Sequence, residues 1–316
     1  APIAACALAF CHYLGSVVPG AAHPLVALAV VWGTTLVQLG GGGVGDRAQD
    51  ALAAFTPLLG VSLCVVGLPA IDVTLLSPGP DLADEIFSPA AGLGVVLVSF
   101  SYSGWNAATY VGGELRAPAR TLPLALLLGT LVVTLLYVAL NVVFVAAAPR
   151  ASLEGEVEIA FVAARSLFGE GAASVLSVVV ALGLVSTTGA LVTTGSRVAW
   201  AMGIDHPRLG ALGRLSARGA PVTALLVQAG LATVLCLFAD IEEILTLVGM
   251  TLSLVTAATV VAALVARVRD PARAIRGSAA ASVVYLSLVA ATVVAGALEQ
   301  PMSALASAVV VAASGV

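Results

Sequence analysis

Hydrophobic positions in this chain gather into long, almost uncharged runs rather than alternating with polar ones. Such runs cover 1–18, 23–40, 50–69, 90–112, 122–147, 172–200, 221–239, 244–266, 278–297 and 302–316, and arginines, acids, glycines and prolines separate them. An α-helix needs roughly 20 apolar residues to cross about 30 Å of hydrocarbon, so the pattern predicts ten membrane-spanning helices. The period-two alternation of a transmembrane β-barrel is absent. Composition agrees with an all-α integral membrane protein: 60% of residues are hydrophobic and 9% charged, and the mean hydropathy is +1.10, well beyond a soluble domain.

The placement of charge says more than the net value of −4. Every basic residue is an arginine, and Arg47, Arg116, Arg120, Arg197, Arg208, Arg214, Arg218, Arg267, Arg269, Arg273 and Arg276 fall on alternate loops or at their edges. The remaining loops hold Asp72, Asp81, Asp84, Glu85, Glu154, Glu156, Glu158, Glu170, Asp240, Glu242, Glu243 and Glu299, with only Arg150 and Arg165 among them. By the positive-inside rule the arginine loops are cytoplasmic. The first span therefore runs outward, and the C-terminus lies in the cytoplasm. The two longest loops, 70–89 and 148–171, are external and can carry a partly ordered cap or a surface helix.

One run is interrupted at its centre. Between Ala90 and Val111 no charge occurs, yet the middle reads Ser101-Tyr102-Ser103-Gly104-Trp105-Asn106. Backbone groups in hydrocarbon must be paired, so a helix breaks at membrane depth only where the freed groups face a cavity or ligand. Packing of small residues against a neighbouring helix is the competing explanation, but six consecutive disruptive residues exceed what packing requires. A charged, proline-punctuated segment follows, Gly112 to Pro123. A spanning helix broken in this way points to a transporter.

Other chemistry is excluded on inspection. Cys6, Cys11, Cys64 and Cys236 lie in apolar runs and behave as small hydrophobes. His12, His23 and His206 are isolated in sequence, with no zinc or Ser/His/Asp spacing. Gly40–Gly43 lacks the Gly-Lys-Ser/Thr ending of a phosphate loop, and Asp81, Asp84 and Glu85 read as a solvated loop. No catalytic set, metal site or cofactor is expected. The arginines need only anionic lipid headgroups as partners, so nucleic acid is not implied.

The run Phe100-Ser101-Tyr102-Ser103-Gly104-Trp105-Asn106, then Gly113-Glu114, Pro118, Arg120 and Pro123, then Tyr137 and Asn141, resembles helices six and seven of amino acid permeases of the amino acid-polyamine-organocation superfamily. Thr194-Gly195-Ser196-Arg197, Ala201-Met202, Asp205 and Gly219-Ala220-Pro221-Val222 continue the resemblance into helices eight and nine. L-type and related bacterial amino acid permeases are the most similar branch. On the family's twelve-helix plan the 316 residues correspond to helices three to twelve. Helices one and two are then absent, and the chain reads as a truncated or partial permease.

The resemblance implies a single transmembrane domain of the five-plus-five inverted-repeat kind: 1–69 an incomplete first repeat, 90–266 the second repeat, and 278–316 two appended helices. A faint echo fits this, Pro24-Leu25-Val26-Ala27-Leu28 against Pro221-Val222-Thr223-Ala224-Leu225. The implied function is secondary transport of amino acids across the cell membrane by alternating access. In the family's manner the carbonyls of Phe100, Ser101 and Ser103 would take the substrate ammonium, and Gly104 would allow close approach. Phe100 would occlude the cargo, while Trp105 and Asn106 would shape its side-chain pocket. Glu114, Pro118, Arg120 and Pro123 would form a cytoplasmic signature loop. Ser186 and Thr187, beside Thr188, are the candidate ion site, with H+ or Na+ as the coupling ion. This chain has no lysine, so the helix-five lysine of sodium-independent relatives, expected near Thr56, is missing. A permease-derived scaffold or sensor, or an inactive fragment, is the alternative.

Overall fold

A computed structural model describes residues 1–40, 57–77, 82–104, 117–269 and 278–314. Among the described residues there are only helices, turns and short 3-10 segments, as an all-α membrane protein requires. They fall into two compact units, one made of Ala1–Ser77 and Leu131–Ile241, the other of Pro78–Thr130 and Glu242–Val316.

The first unit is built on α1 (Pro2–Gly15), α2 (Pro24–Leu39), α3 (Pro57–Ala70), α7 (Ile159–Phe168), α8 (Glu170–Asp205) and α9 (Val222–Phe238). Its interior is made of small side chains. Ala4, Ala5, Ala7 and Cys11 of α1 are buried, as are Ala173, Leu176, Ser177 and Ala181 of α8. Small residues let helix backbones approach, which is how helices associate where lipid tails are as apolar as leucine. Ser177 is fully buried, donates to the Tyr13 carbonyl at 2.6 Å and lies 2.7 Å from the Ser16 hydroxyl. Trp32 of α2 donates its indole N–H to the Thr233 hydroxyl of α9 at 3.1 Å.

The loop 148–171 holds an ordered cap, as expected, but a better buried one than a surface helix. Phe161, Val162, Ala163 and Ala164 of α7 are all buried, and Phe161 and Ala164 join Ala173 and Leu176 in one cluster against Leu59 and Leu63. Gly169, at φ +85°, turns the chain from α7 directly into α8, a conformation glycine adopts without strain. The C-terminal end of α1 meets this cap, with His12 Nδ1 3.4 Å from Glu158 Oε1. The three histidines are therefore not all isolated, since folding gives His12 a partner that sequence spacing does not reveal.

The second unit holds α4 (Leu82–Ile86), α5 (Pro89–Ser101), α10 (Ile241–Arg269, of which all but Ile241 belongs here), α11 (Ser278–Glu299) and α12 (Pro301–Ser314). Close backbone approach recurs. Gly92 of α5 lies against Ala295 of α11, and the fully buried Ser307 of α12 donates to the Leu247 carbonyl of α10 at 3.1 Å. Ser88 caps α5, its hydroxyl accepting from the Ala91 N–H at 3.2 Å.

The remaining helix, α6 (Pro118–Val145), contributes its first part to the second unit and its second part to the first. Leu127, Leu131 and Leu135 along it are exposed. An outward apolar face of that kind suits lipid rather than water. Four helices are long and apolar enough to cross a membrane, within Arg120–Val145, Glu170–Asp205, Ile241–Arg269 and Ala279–Glu299, and shorter apolar helices accompany them.

Candidate functional site

The candidate site lies at the end of α5. Its first turns are ordinary: Pro89 suits the first helical position, and an aliphatic stretch follows. The helix then stops at Ser101, although the uncharged sequence runs on to Val111. Thirteen residues span about 20 Å at 1.5 Å per residue, short of the hydrocarbon thickness. Other helices here are as short but end at turns rich in glycine, proline or charge. This one ends inside an uncharged run.

The local cause is visible in the last turn. The Tyr102 N–H still reaches the Val98 carbonyl, at 3.3 Å, but the Ser103 N–H reaches only three residues back, to Phe100, at 2.9 Å. Gly104 then takes φ +99° with nothing within 4 Å of where a Cβ would stand. The backbone there is turned out of any helical path, in open space. Ser101 directs its hydroxyl back to the Leu97 carbonyl at 3.3 Å. Phe100 is half-buried on the final turn, while Ser101, Ser103 and Gly104 are exposed.

Ser103 and Gly104 line a cavity of about 650 Å³ within the second unit. Val98, Ser99 and Tyr102 complete the α5 wall, Gly249, Ser253 and Thr256 stand on α10, and Tyr285 on α11. Trp105, Asn106 and Glu114 lie outside the described residues. Pro118 opens α6, Arg120 is exposed in its first turn, and Pro123 falls inside the helix. Ala117, immediately before, has φ +54°, and its carbonyl accepts the N–H groups of Arg120 and Thr121, each at 3.1 Å.

Ser186 and Thr187, the candidate ion ligands, sit on α8 in the first unit with Thr188 beside them, and Ser186 is half-buried. Thr187, which is exposed, donates to the Gly183 carbonyl at 3.0 Å, and the fully buried Thr188 donates to Leu184 at 2.8 Å. Both hydroxyls thus bond to their own helix, as threonines in membrane helices often do. A separate cavity of about 490 Å³ in the first unit is lined by Cys11, His12, His23, Cys236 and Asp240 among others. No group of three metal-ligating side chains occurs among the described residues.

This geometry can be set beside known proteins. The family model described as amino acid permease matches residues 3–315. The chain belongs to the amino acid permease family. The permease is 30% identical over 207 residues to the mouse Asc-type amino acid transporter 1, covering 65% of this chain and 39% of the mouse protein. It is 27% identical over 162 residues to the rabbit b(0,+)-type amino acid transporter 1, covering 51% of this chain and 33% of that protein. The mouse b(0,+)-type protein matches at 24% over 241 residues, 73% of this chain and 48% of its own length. The chain thus spans less than half the length of the curated relatives it matches. Family and relatives place the permease among multi-pass membrane transporters rather than enzymes.

Sequence reasoning pointed to the α5 break but not to its surroundings. Ser253 and Thr256 fall inside the apolar run 244–266 and do not stand out from it in sequence. Their spacing with Gly249, at i, i+4 and i+7, is the signal that could have placed them on one face.

Proposed function

We propose that this permease moves amino acids across the cell membrane by secondary, alternating-access transport, with its C-terminus in the cytoplasm. The observation that carries the reading is the end of α5 at Ser101, inside an uncharged run and beside a cavity. An α-amino acid brings an ammonium and a carboxylate, and a dry site must pair both without burying a lone protein charge. The carbonyl end of a half-helix carries partial negative charge, so the carbonyls of Phe100, Ser101 and Ser103 receive the ammonium. Phe100 has already accepted the Ser103 N–H and offers its second lone pair. Gly104 keeps the approach open, and Phe100, Trp105 and Asn106 close over the cargo side chain. The carboxylate is met by a second broken helix of the inverted-repeat plan, to which 1–69, 90–266 and 278–316 contribute as partial repeat, full repeat and appended pair.

Coupling to H+ or Na+ belongs to Ser186 and Thr187. A back-bonded hydroxyl keeps an oxygen lone pair for a cation, so the Thr187 bond to Gly183 leaves that role open to it. Uptake of radiolabelled amino acids by proteoliposomes tests the proposal. Accumulation that disappears in Gly104→Leu, with insertion intact, is the expected result. Binding without flux would favour a scaffold or sensor, and no binding at all would defeat the site.

A further inference from the structure

Two threonines on α10 show what hydroxyls usually do in a membrane helix. Thr251 donates to the Leu247 carbonyl at 2.7 Å, and Thr259 to Val255 at 3.0 Å. Each proton is spent on the helix itself. Ser253 and Thr256, between them, make no such bond among the described residues, and both line the 650 Å³ cavity beside the end of α5. Ser253 is buried, yet its hydroxyl is left uncommitted. Tyr285 of α11 adds a third donor, a phenol, to the same cavity.

The polar face continues along α10. Thr246 stands seven residues before Ser253 on the same side of the helix and is fully buried, with its hydroxyl unpaired. Buried polar groups are almost always paired, and one that is not calls for an explanation. Across the cavity, the described walls from all three helices contain no Asp, Glu, Lys, Arg or His. A volume of this size suits a small molecule.

From these observations we infer that the cavity is the side-chain subsite of the transported amino acid, and that Ser253, Thr256 and Tyr285 select an uncharged side chain bearing a hydrogen-bond acceptor. This inference rests on the transport reading given above. Cationic and anionic side chains are refused because no countercharge on the described walls meets them. Purely aliphatic ones are disfavoured because they leave three donors facing nothing. A site built to hydrogen-bond a group discriminates sharply against an analogue lacking it, whereas a methylene more or less is discriminated weakly.

L-threonine and L-valine make the decisive pair, since they differ by a hydroxyl in place of a methyl. Uptake of both into proteoliposomes, alongside L-lysine and L-glutamate, is measured for the permease and for Ser253→Ala, Thr256→Val and Tyr285→Phe. Expected is a preference for threonine over valine of about tenfold or more, falling by up to about tenfold per removed hydroxyl. Valine uptake holds or rises, because each removed hydroxyl is one donor fewer left facing an aliphatic side chain, and its persistence shows that each variant is folded. Lysine or glutamate uptake equal to that of threonine, or a threonine-to-valine ratio unmoved by the variants, overturns the subsite while leaving transport standing. A permease that moves none of the four overturns the transport reading and the subsite with it.

Discussion

Gly249 of α10 lies directly against Val96 of α5. A Cβ on Gly249 would come within 2.8 Å of Val96 Cγ1 and 2.9 Å of the Val96 carbonyl oxygen. Val96 is fully buried, and one of the obstructing atoms is backbone, so rotation of a side chain cannot relieve the overlap. This contact fixes the wall of the cavity at the level where α5 approaches its end.

Gly249→Ala is therefore expected to destabilise the protein by about 1–3 kcal/mol, the usual range for overpacking. Gly94, two positions before Val96, meets nothing within 4 Å, and Gly94→Ala should be neutral or slightly stabilising through its better helix propensity. Thermal unfolding in detergent compares the two. Equal losses would mean that the Gly249 contact is not tight.

Gly104 makes a different prediction, because its surroundings are empty and only its dihedral is demanding. With φ at +99°, a side chain costs about 1–3 kcal/mol of local strain without any clash. Gly104→Ala should weaken amino acid binding while leaving helix content unchanged, and Gly104→Leu should abolish it. Binding isotherms together with circular dichroism separate the two effects. Unchanged affinity in the leucine variant would count against the site.

Asp72 gives a pH dependence of known sign. The Thr74 hydroxyl donates to its carboxylate at 2.7 Å and the Thr74 N–H at 2.9 Å. Those hydrogen bonds, the hydroxyl first, hold its carboxyl below the usual carboxylate range. A lowered folded-state pKa stabilises the turn above the unfolded pKa, and that contribution disappears as pH falls through the folded one. Thr74→Val should raise the Asp72 pKa toward the ordinary value, seen by NMR titration of labelled aspartate. The turn should then loosen at a higher pH than in the parent.

The His12–Glu158 contact, at 3.4 Å, ties α1 to the cap α7, and it is an ion pair only when the imidazole is protonated. Glu158→Ala should loosen the join between α1 and α7, seen at constant pH as faster hydrogen exchange in α7. With the His12 side chain 42% exposed, the effect is expected to be small, at most about 1 kcal/mol. Exchange equal in variant and parent would show that the contact does not hold the cap.

Much of the architecture is legible because lipid imposes a simple code. Runs read as 23–40, 221–239 and 278–297 appear as Pro24–Leu39, Val222–Phe238 and Ser278–Glu299, since apolar length and flanking punctuation decide where a helix can lie. The stop at Ser101 was legible for the same reason, as six adjacent residues there disfavour a continuous helix. Pairings were not legible. Nothing in the local sequence joins His12 to Glu158, or distinguishes the uncommitted Ser253 and Thr256 from the back-bonded Thr251 and Thr259. Such differences come from which neighbour a helix face meets, information held in packing rather than in hydropathy. The burial of α7 was hidden likewise, because ten residues are too few to announce a partner.

The buried hydroxyl of Ser177 joins the C-terminal end of α1 to α8 through Tyr13 and Ser16. Removing that hydroxyl would leave Ser16 bonded to the Tyr13 carbonyl within its own turn but would untie the two rods from each other. Probes placed beside them would keep a constant separation while the fold is intact, giving an internal ruler against which other distances in the chain can be gauged.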